Sequence, residues 1–260
     1  MTQILAIEKN IKTLNQLHDR FHLRRSEDDR FFTEWFDDRD ELTETDRQVL
    51  DSIKQKYFYQ LSDGCLGEET IKMVVLSRLL EMAGFYDPPF RFKTEATVHV
   101  EIEERDEILR GRIDALVIQN NFWIVAIESK QTSFSLELAI PQCLAYMLGN
   151  PDRDRPVFGM VTNGGNFIFI KLVQQETPEY DLSDVFSLLP RRNQLYDVLS
   201  ILKRLSRWSG TCGDRRENVY FATRRINGAF RYPQHTLQLQ LISPIFKKIH
   251  RKLGLRPKPA

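Results

Sequence analysis

"GRIDALVIQNNFWIVAIESKQ", residues 111–131, holds two apolar runs around a polar turn. The runs "RGRIDALVI" and "FWIVAIES" are rich in β-branched and aromatic residues, and "QNN" between them favours a turn, so the stretch reads as a β-hairpin. The second run is too continuously apolar for a half-solvated strand and reads as a central one. Yet it runs straight into Glu128, Ser129 and Lys130, and the strand before it carries Asp114. Side chains two apart on a strand share a face, so Glu128 and Lys130 point the same way. A three-residue loop of Gln119, Asn120 and Asn121 sets Ile118 against Phe122 and Asp114 against Ala126. Asp114 is then diagonal to Glu128 on the same face, roughly 7–8 Å away at Cα.

Unpaired carboxylates at the rim of an apolar sheet repel one another and lose hydration. A hard divalent cation resolves both problems. Mg²⁺ takes one or two carboxylates, keeps several waters and recruits phosphate oxygens. A lysine beside it can orient or deprotonate a water, or stabilise charge developing at phosphorus. Asp114 followed by Glu128 and Lys130 at the end of a buried hairpin therefore predicts a phosphodiester hydrolysis site, with Asp114 and Glu128 as ligands of Mg²⁺ or Mn²⁺. The plain alternative is an Asp and a surface Glu–Lys pair at strand ends. Against it stand the central character of the strand, the parity of Asp114, and Gln142 and Tyr146, which share one side of the next helix at i and i+4.

Upstream, residues 4–60 read as helical, with Leu14, Leu17, Phe21 and Leu23 opening a pattern near period 3.6. "TETD" at 43–46 has the form of a capping box, Thr43 as N-cap with Asp46 three residues on. "SDGCLG" at 62–67 is a break. A helix is expected over about 68–83, closed by Gly84. "RFKTEATVHVEIEE" alternates over Ala96, Val98, Val100 and Ile102 and reads as a strand. Downstream, "LAIPQCLAYML" reads as a helix with Pro141 in its first turn, where a missing N–H does no harm. "PVFGMVTNG" and "NFIFIKLV" are two further strands, with "TNGGN" at 162–166 a hairpin turn rather than a phosphate cradle. "RRNQLYDVLSILKRLSRW" is a basic amphipathic helix. The expected architecture is α/β, a mixed central sheet flanked by helices. It divides into an N-terminal helical extension (1–62), a core (63–210) and a basic tail (211–260).

The 260 residues carry a net charge of +1, which conceals an asymmetry. Residues 191–260 hold 16 Lys/Arg against 3 Asp/Glu, a net +13, leaving −12 for the rest. A basic quarter on an acidic body suggests a polyanionic partner. With 42% hydrophobic and 28% charged residues the composition is that of a globular chain. No apolar run approaches the roughly 20 residues of a membrane helix. The N-terminus shows no apolar block before a small-residue cleavage site, so a cytoplasmic protein without membrane partners is expected. Cys65, Cys143 and Cys212 are widely spaced with no CxxC, which suggests free thiols in a reducing compartment. The 260 residues contain no GxxxxGK[ST], hence no P-loop motor. His18 and His22, at i and i+4, lack a third ligand nearby and read as a solvated helix face. "RFFTEWF" at 30–36 reads as core rather than as a base-stacking platform. Arg191, Arg192, Lys203, Arg204 and Arg207 could contact phosphates or simply face solvent.

Taken in order, these motifs resemble the PD-(D/E)xK nuclease superfamily, and specifically the N-terminal nuclease domain of type I restriction R (HsdR-like) subunits. "RIDALVI" resembles the metal-binding Asp motif, with Ile113 where a proline is often seen, and "IVAIESK" resembles the ExK motif. "QCLAY" resembles the QxxxY element that the family associates with DNA contact, which implies a substrate role for Gln142 and Tyr146. "GEETIKMVVLSRLLEMAGF" resembles the opening helix, whose Glu completes the acidic cluster, and "GMVTNGGNFIFIKL" resembles the TNG hairpin. The resemblance covers roughly residues 65–175. It implies a restriction-endonuclease-like fold and a Mg²⁺-dependent DNA nuclease, either as a homodimer or with restriction-system partner subunits. A full R subunit also carries an ATP-driven translocase; the missing P-loop departs from that and points to a nuclease acting without a helicase motor. Asp114, Glu128, Lys130 and either Glu68 or Glu69 would be its catalytic residues. Glu68 shares a face with Ile71, Val75 and Leu79, and Glu69 with Lys72, Met73, Leu76 and Leu80, which leaves both open. The other reading is a non-catalytic DNA-binding or assembly subunit that keeps the fold.

Overall fold

The computed structural model describes residues 3–37, 41–102, 107–119, 122–175 and 177–210. The basic tail at 211–260, and Cys212 with it, lies outside the described residues. The N-terminal part forms β1 (Gln3–Ala6), α1 (Ile7–Asn10), α2 (Leu14–Phe21), β2 (Arg24–Arg25) and α3 (Glu44–Leu61). Then come α4 (Glu68–Ile71), a π-helical turn (Lys72–Leu76), α5 (Ser77–Met82), β3 (Phe90–Ile102), β4 (Glu107–Gln119) and β5 (Phe122–Ser129). A 3₁₀ turn (Leu136–Leu138) leads into α6 (Ile140–Met147), β6 (Val157–Thr162), β7 (Asn166–Val173), β8 (Glu179–Leu182), β9 (Phe186–Ser187) and α7 (Leu195–Gly210).

The strands among the described residues form one mixed sheet in the order β1-β4-β5-β6-β7-β8-β2, with β3 also on β4 and β9 also on β7. Pairing is parallel for β1–β4, β5–β6 and β2–β8, and antiparallel for the rest. Helices cover both faces. One core gathers Leu50, Ile53 and Tyr57 of α3 and Ile71, Val75, Leu76, Leu79 and Leu80 of the 68–82 helix against Ala115, Val117, Phe158 and Phe169. The other gathers Ile7, Ile11 and Leu17 with Ile140, Leu144, Tyr146 and Met147 of α6 against Leu116, Val161, Ile168 and Ile170. A mixed sheet sandwiched between helices is the α/β arrangement that the sequence predicts.

The capping box forms as the sequence predicts: Thr43 Oγ1 accepts the Asp46 N–H at 3.1 Å, and Asp46 Oδ2 accepts the Thr43 N–H at 3.1 Å. Gly84, at φ 81°, closes the 68–82 helix in a Schellman arrangement. There the Phe85 N–H reaches Leu80 O at 3.0 Å and the Gly84 N–H reaches Glu81 O at 2.9 Å. Phe32 is core, 6.1 Å from Phe158 between ring centroids. His22 sits at the left-handed C-cap of α2, and His18 Nδ1 lies 3.3 Å from Leu23 O, so the two histidines serve the helix end.

The N-terminal region departs from the helical expectation. β1 joins β4 in parallel, and β2 joins β8 at the other end of the sheet order. Strands of 4 and 2 residues carry too little periodicity to be seen in a sequence, and their pairing comes from the sheet edges they meet. The last helix also starts later than expected. Arg191 and Arg192 precede it, and Asn193 Oδ1 accepts the Leu195 N–H at 3.1 Å. Among the described residues, no helix is long and apolar enough to cross a membrane.

Candidate active site

β4 changes partner in its middle. Residues 107–110 pair with β1, and Ala115 to Gln119 pair with β5. Asp114 lies just before the second set. On its other side β3 runs the whole length, but Glu95, between the partners of Ala115 and Ile113, has φ 49°. The strand's burial changes phase at the same point: Leu109 and Ile113 join the α6-side core, whereas Ala115 and Val117 join the opposite one. A left-handed non-glycine residue in a ladder costs free energy, and such residues concentrate where a side chain has to be re-aimed.

The hairpin register differs from the expected one. Gln119 pairs with Phe122, so the turn is one residue shorter, and a bulge follows. Ile118 pairs with Trp123 and Val117 with Val125, which leaves Ile124 as the extra residue. From there Leu116 faces Ala126 and Ala115 faces Ile127. Ala126 is thus taken by Leu116, not by Asp114, and the ladder ends at Ala115 and Ile127, one residue short of Asp114 and Glu128.

Glu128 is buried, 2% exposed, and its Oε1 meets the ammonium of Lys130. Its Oε2 is buried with no hydrogen-bond partner. Asp114 points to another cation: its Oδ1 lies 3.0 Å from Lys72 Nζ. That same ammonium lies 2.9 Å from Glu68 Oε1 and 3.0 Å from Glu69 Oε1. The two glutamates differ in burial, with side-chain exposures of 37% for Glu68 and 82% for Glu69. The charge of the more buried Glu68 acts on both Glu128 and Lys130. The π turn starting at Lys72 supports this placement. Its wider winding lets Ile71, Val75, Leu76, Leu79 and Leu80 all reach the core while Met73 stays outside.

The site carries excess negative charge. Burial, then the charge of Asp114, pushes the Glu128 carboxyl up to about 8, while Lys130 pulls the other way. Burial opposes charge on Lys130, but Glu128 and then Asp114 and Glu68 outweigh it and hold the ammonium above its ordinary range. Lys72 behaves alike: burial opposes its charge, and its bonds to Glu68, Glu69 and Asp114 win.

Two tethers hold the segments together. Thr132, just past Lys130, exchanges hydrogen bonds with Leu66, just before α4. The Leu66 N–H donates to Thr132 Oγ1 at 2.9 Å, and the Thr132 hydroxyl and N–H donate to Leu66 O, each at 3.1 Å. Asn163 of the "TNGGN" turn accepts the N–H groups of Gly165 and Asn166 and donates to Phe134 O at 2.9 Å. The turn thus braces the loop that follows Lys130, and Lys130 N–H itself donates to Thr162 O at 2.8 Å. Gly164 supplies the left-handed residue, φ 79°.

Gln142 and Tyr146 meet on α6, Gln142 Nε2 donating to the Tyr146 hydroxyl at 2.7 Å. Tyr146 is fully buried, and burial followed by the Glu128 charge raises its phenol. The basic residues of the last helix are partly used internally. Arg192 grips Asp197 with both carboxylate oxygens at 2.8 and 3.0 Å, and Lys203 reaches Asp46 at 2.9 Å. Lys72 is the residue that sequence reasoning did not single out. Its signal was the i,i+3 and i,i+4 spacing from Glu69 and Glu68, a pattern shared with ordinary surface pairs.

Among the described residues, no three His, Cys, Asp or Glu side chains converge as a ready metal-binding set. The donor chemistry nonetheless suits a hard cation: carboxylate oxygens only, one of them, Glu128 Oε2, buried and unsatisfied. The acids are drawn onto two lysine ammoniums instead of one common point.

No family profile matches the sequence, and no curated protein matches it. Among solved structures the chain is similar to a fragment described as an HsdR subunit of a type I restriction enzyme from Vibrio vulnificus. Identity is 19% and the TM-score 0.35, over 56% of this chain and 26% of that one. The chain thus spans about a quarter of that structure's length.

Proposed function

We propose that this chain is a divalent-cation-dependent nuclease that hydrolyses phosphodiester bonds in DNA. The observation that carries the reading is the orphaned, buried Oε2 of Glu128, with the charge of Asp114 near enough to act on it and Lys130 on the same carboxylate. A buried carboxylate oxygen without a donor is costly, and a cation satisfies it. Asp114, Glu128 and Glu68 would hold Mg²⁺ or Mn²⁺, which supplies Lewis-acid activation of a phosphate when bound. Lys130 holds the water or stabilises charge developing on the phosphate oxygens. Gln142, half-buried on α6, meets the bound strand, and the buried Tyr146 hydroxyl positions Gln142 by accepting from its amide. A restriction system, with DNA as substrate and partner subunits or a second copy completing double-strand cleavage, is the setting that the sequence resemblance suggests.

Conversion of supercoiled plasmid to nicked or linear forms, with and without Mg²⁺, tests this reading. Single-stranded, double-stranded and branched DNA are compared in the same assay. Activity should require the cation and disappear in Glu128→Ala and Lys130→Met. Undiminished nicking by Glu128→Ala overturns the assignment.

One observation favours a second reading, a DNA-binding or assembly subunit without catalysis: the acids are already paired with lysines. That reading expects salt-sensitive DNA binding with no effect of Mg²⁺.

A further inference from the structure

Lys72 holds the most crowded ammonium among the described side chains of the site. An ammonium has three donors, and Lys72 meets three carboxylates at 2.9–3.0 Å, from Glu68, Glu69 and Asp114. Its donors are therefore saturated, and two of its partners are residues that would ligate a metal. Glu128 stands outside this arrangement. It is 2% exposed, feels the charges of Asp114 and Glu68, and keeps Oε2 without a partner. The four carboxylates Glu68, Glu69, Asp114 and Glu128 face the two ammoniums of Lys72 and Lys130. With Glu128 ionised, as a bound cation would hold it, the remaining charge of −2 matches one divalent cation.

We infer that Lys72 is the resident counter-cation of this acidic cluster, and that it swings out to Glu69 when Asp114, Glu68 and Glu128 close around a divalent ion. This rests on the nuclease reading's metal site. The side chain is suited to the move: it is a flexible four-carbon stem with a point charge, already 21% exposed. Its destination is on the solvent side, since Glu69 is 82% exposed and already bonded to it. With Lys72 on all three acids, the carboxylates do not converge as a ligand set. With Lys72 retracted, Asp114 and Glu68 are released toward Glu128. Lys72 therefore keeps the acids assembled without metal and lowers metal affinity by competing for them. It is a positioning residue.

Two measurements on the full chain test this. Calorimetric titration with Mn²⁺ should give binding roughly tenfold tighter for Lys72→Met than for the parent, equivalent to about 1.4 kcal/mol. Reductive methylation read by mass spectrometry should show Lys72 labelled severalfold faster with saturating Mn²⁺, with Lys54 as a control held by backbone carbonyls at 190–192. The labelling uses the unaltered protein and decides the matter if Lys72→Met does not fold. If the parent binds Mn²⁺ while Lys72 labelling stays the same or slows, the inference is wrong and the metal site stands. If a folded Lys72→Met binds Mn²⁺ no tighter than the parent, the inference likewise fails. Absence of Mn²⁺ binding in both proteins overturns the inference and the metal-dependent reading together.

Discussion

The ring of Tyr146 lies against the backbone of Gly111, so close that a Cβ at 111 would come within 2.5 Å of Tyr146 Cε1. The same Cβ would meet Ile7 Cβ at 3.2 Å. Gly111 is the first residue of the stretch where β4 has left β1 and not yet met β5, so its missing side chain lets α6 settle into the gap. Gly111→Ala should force Tyr146 or α1 to move and cost about 1–3 kcal/mol in urea unfolding, the usual penalty of overpacking. A Gly111→Ala protein as stable as the parent shows that the gap is not filled to contact.

The hairpin at 111–131 was legible from its two apolar runs and polar turn, whereas the faces of its residues were not, because a one-residue slip turns every side chain over. The register was not legible. The bulge at Ile124 adds one residue to a run in which every position is apolar, and an apolar run gives no sign of where pairing slips. The shorter turn shifts the pairing by one residue and the bulge shifts it by one more, and the two together set Leu116 opposite Ala126 and Ala115 opposite Ile127. β1 and β2 were invisible for another reason: a two-residue strand such as Arg24–Arg25 has no pattern, only a partner. Lys72 lay in plain view at helical spacing, but only the fold brings Asp114, 42 residues away, to the same ammonium.

Glu128 gives a pH signature in metal-free buffer. In the unfolded chain its carboxyl loses its proton near the ordinary 4.5, whereas folding holds that proton up to about 8. For an acid raised by folding, the stabilisation is complete below the unfolded value and drains away as pH climbs to the folded one. Stability should therefore decline between about pH 4.5 and 8, and Glu128→Gln should flatten that decline. Urea unfolding at intervals across the range measures it; parallel profiles for the two proteins refute the assignment.

Thr132→Val keeps the shape of the side chain and removes its hydroxyl. Two of the three bonds between residues 132 and 66 then vanish, while the backbone bond from the Thr132 N–H to Leu66 O remains. The expected cost is about 1–2 kcal/mol of stability. Faster hydrogen exchange should accompany it at the Leu66 amide, which loses its acceptor. Unchanged exchange there means that the tether does not hold the start of α4 to the loop after Lys130.

The N-terminal arm is fastened to β7 by a buried charge. Lys171 Nζ lies 2.6 Å from Glu34 Oε1 and 2.7 Å from Phe31 O, and stands 5.4 Å from the centroid of the Phe31 ring. Both side chains are largely buried, and Glu34 Oε2 has no hydrogen-bond partner. Such a pair adds little net stability as a unit but is costly to break, because the surviving charge is stranded. Lys171→Met should therefore cost about 3–5 kcal/mol, and adding Glu34→Leu should recover much of that loss. Denaturant unfolding of the single and double variants decides between two accounts of the contact. A double variant no more stable than Lys171→Met would mean that Lys171 acts through its alkyl stem and the Phe31 contacts, and that the carboxylate of Glu34 is not what makes its loss expensive.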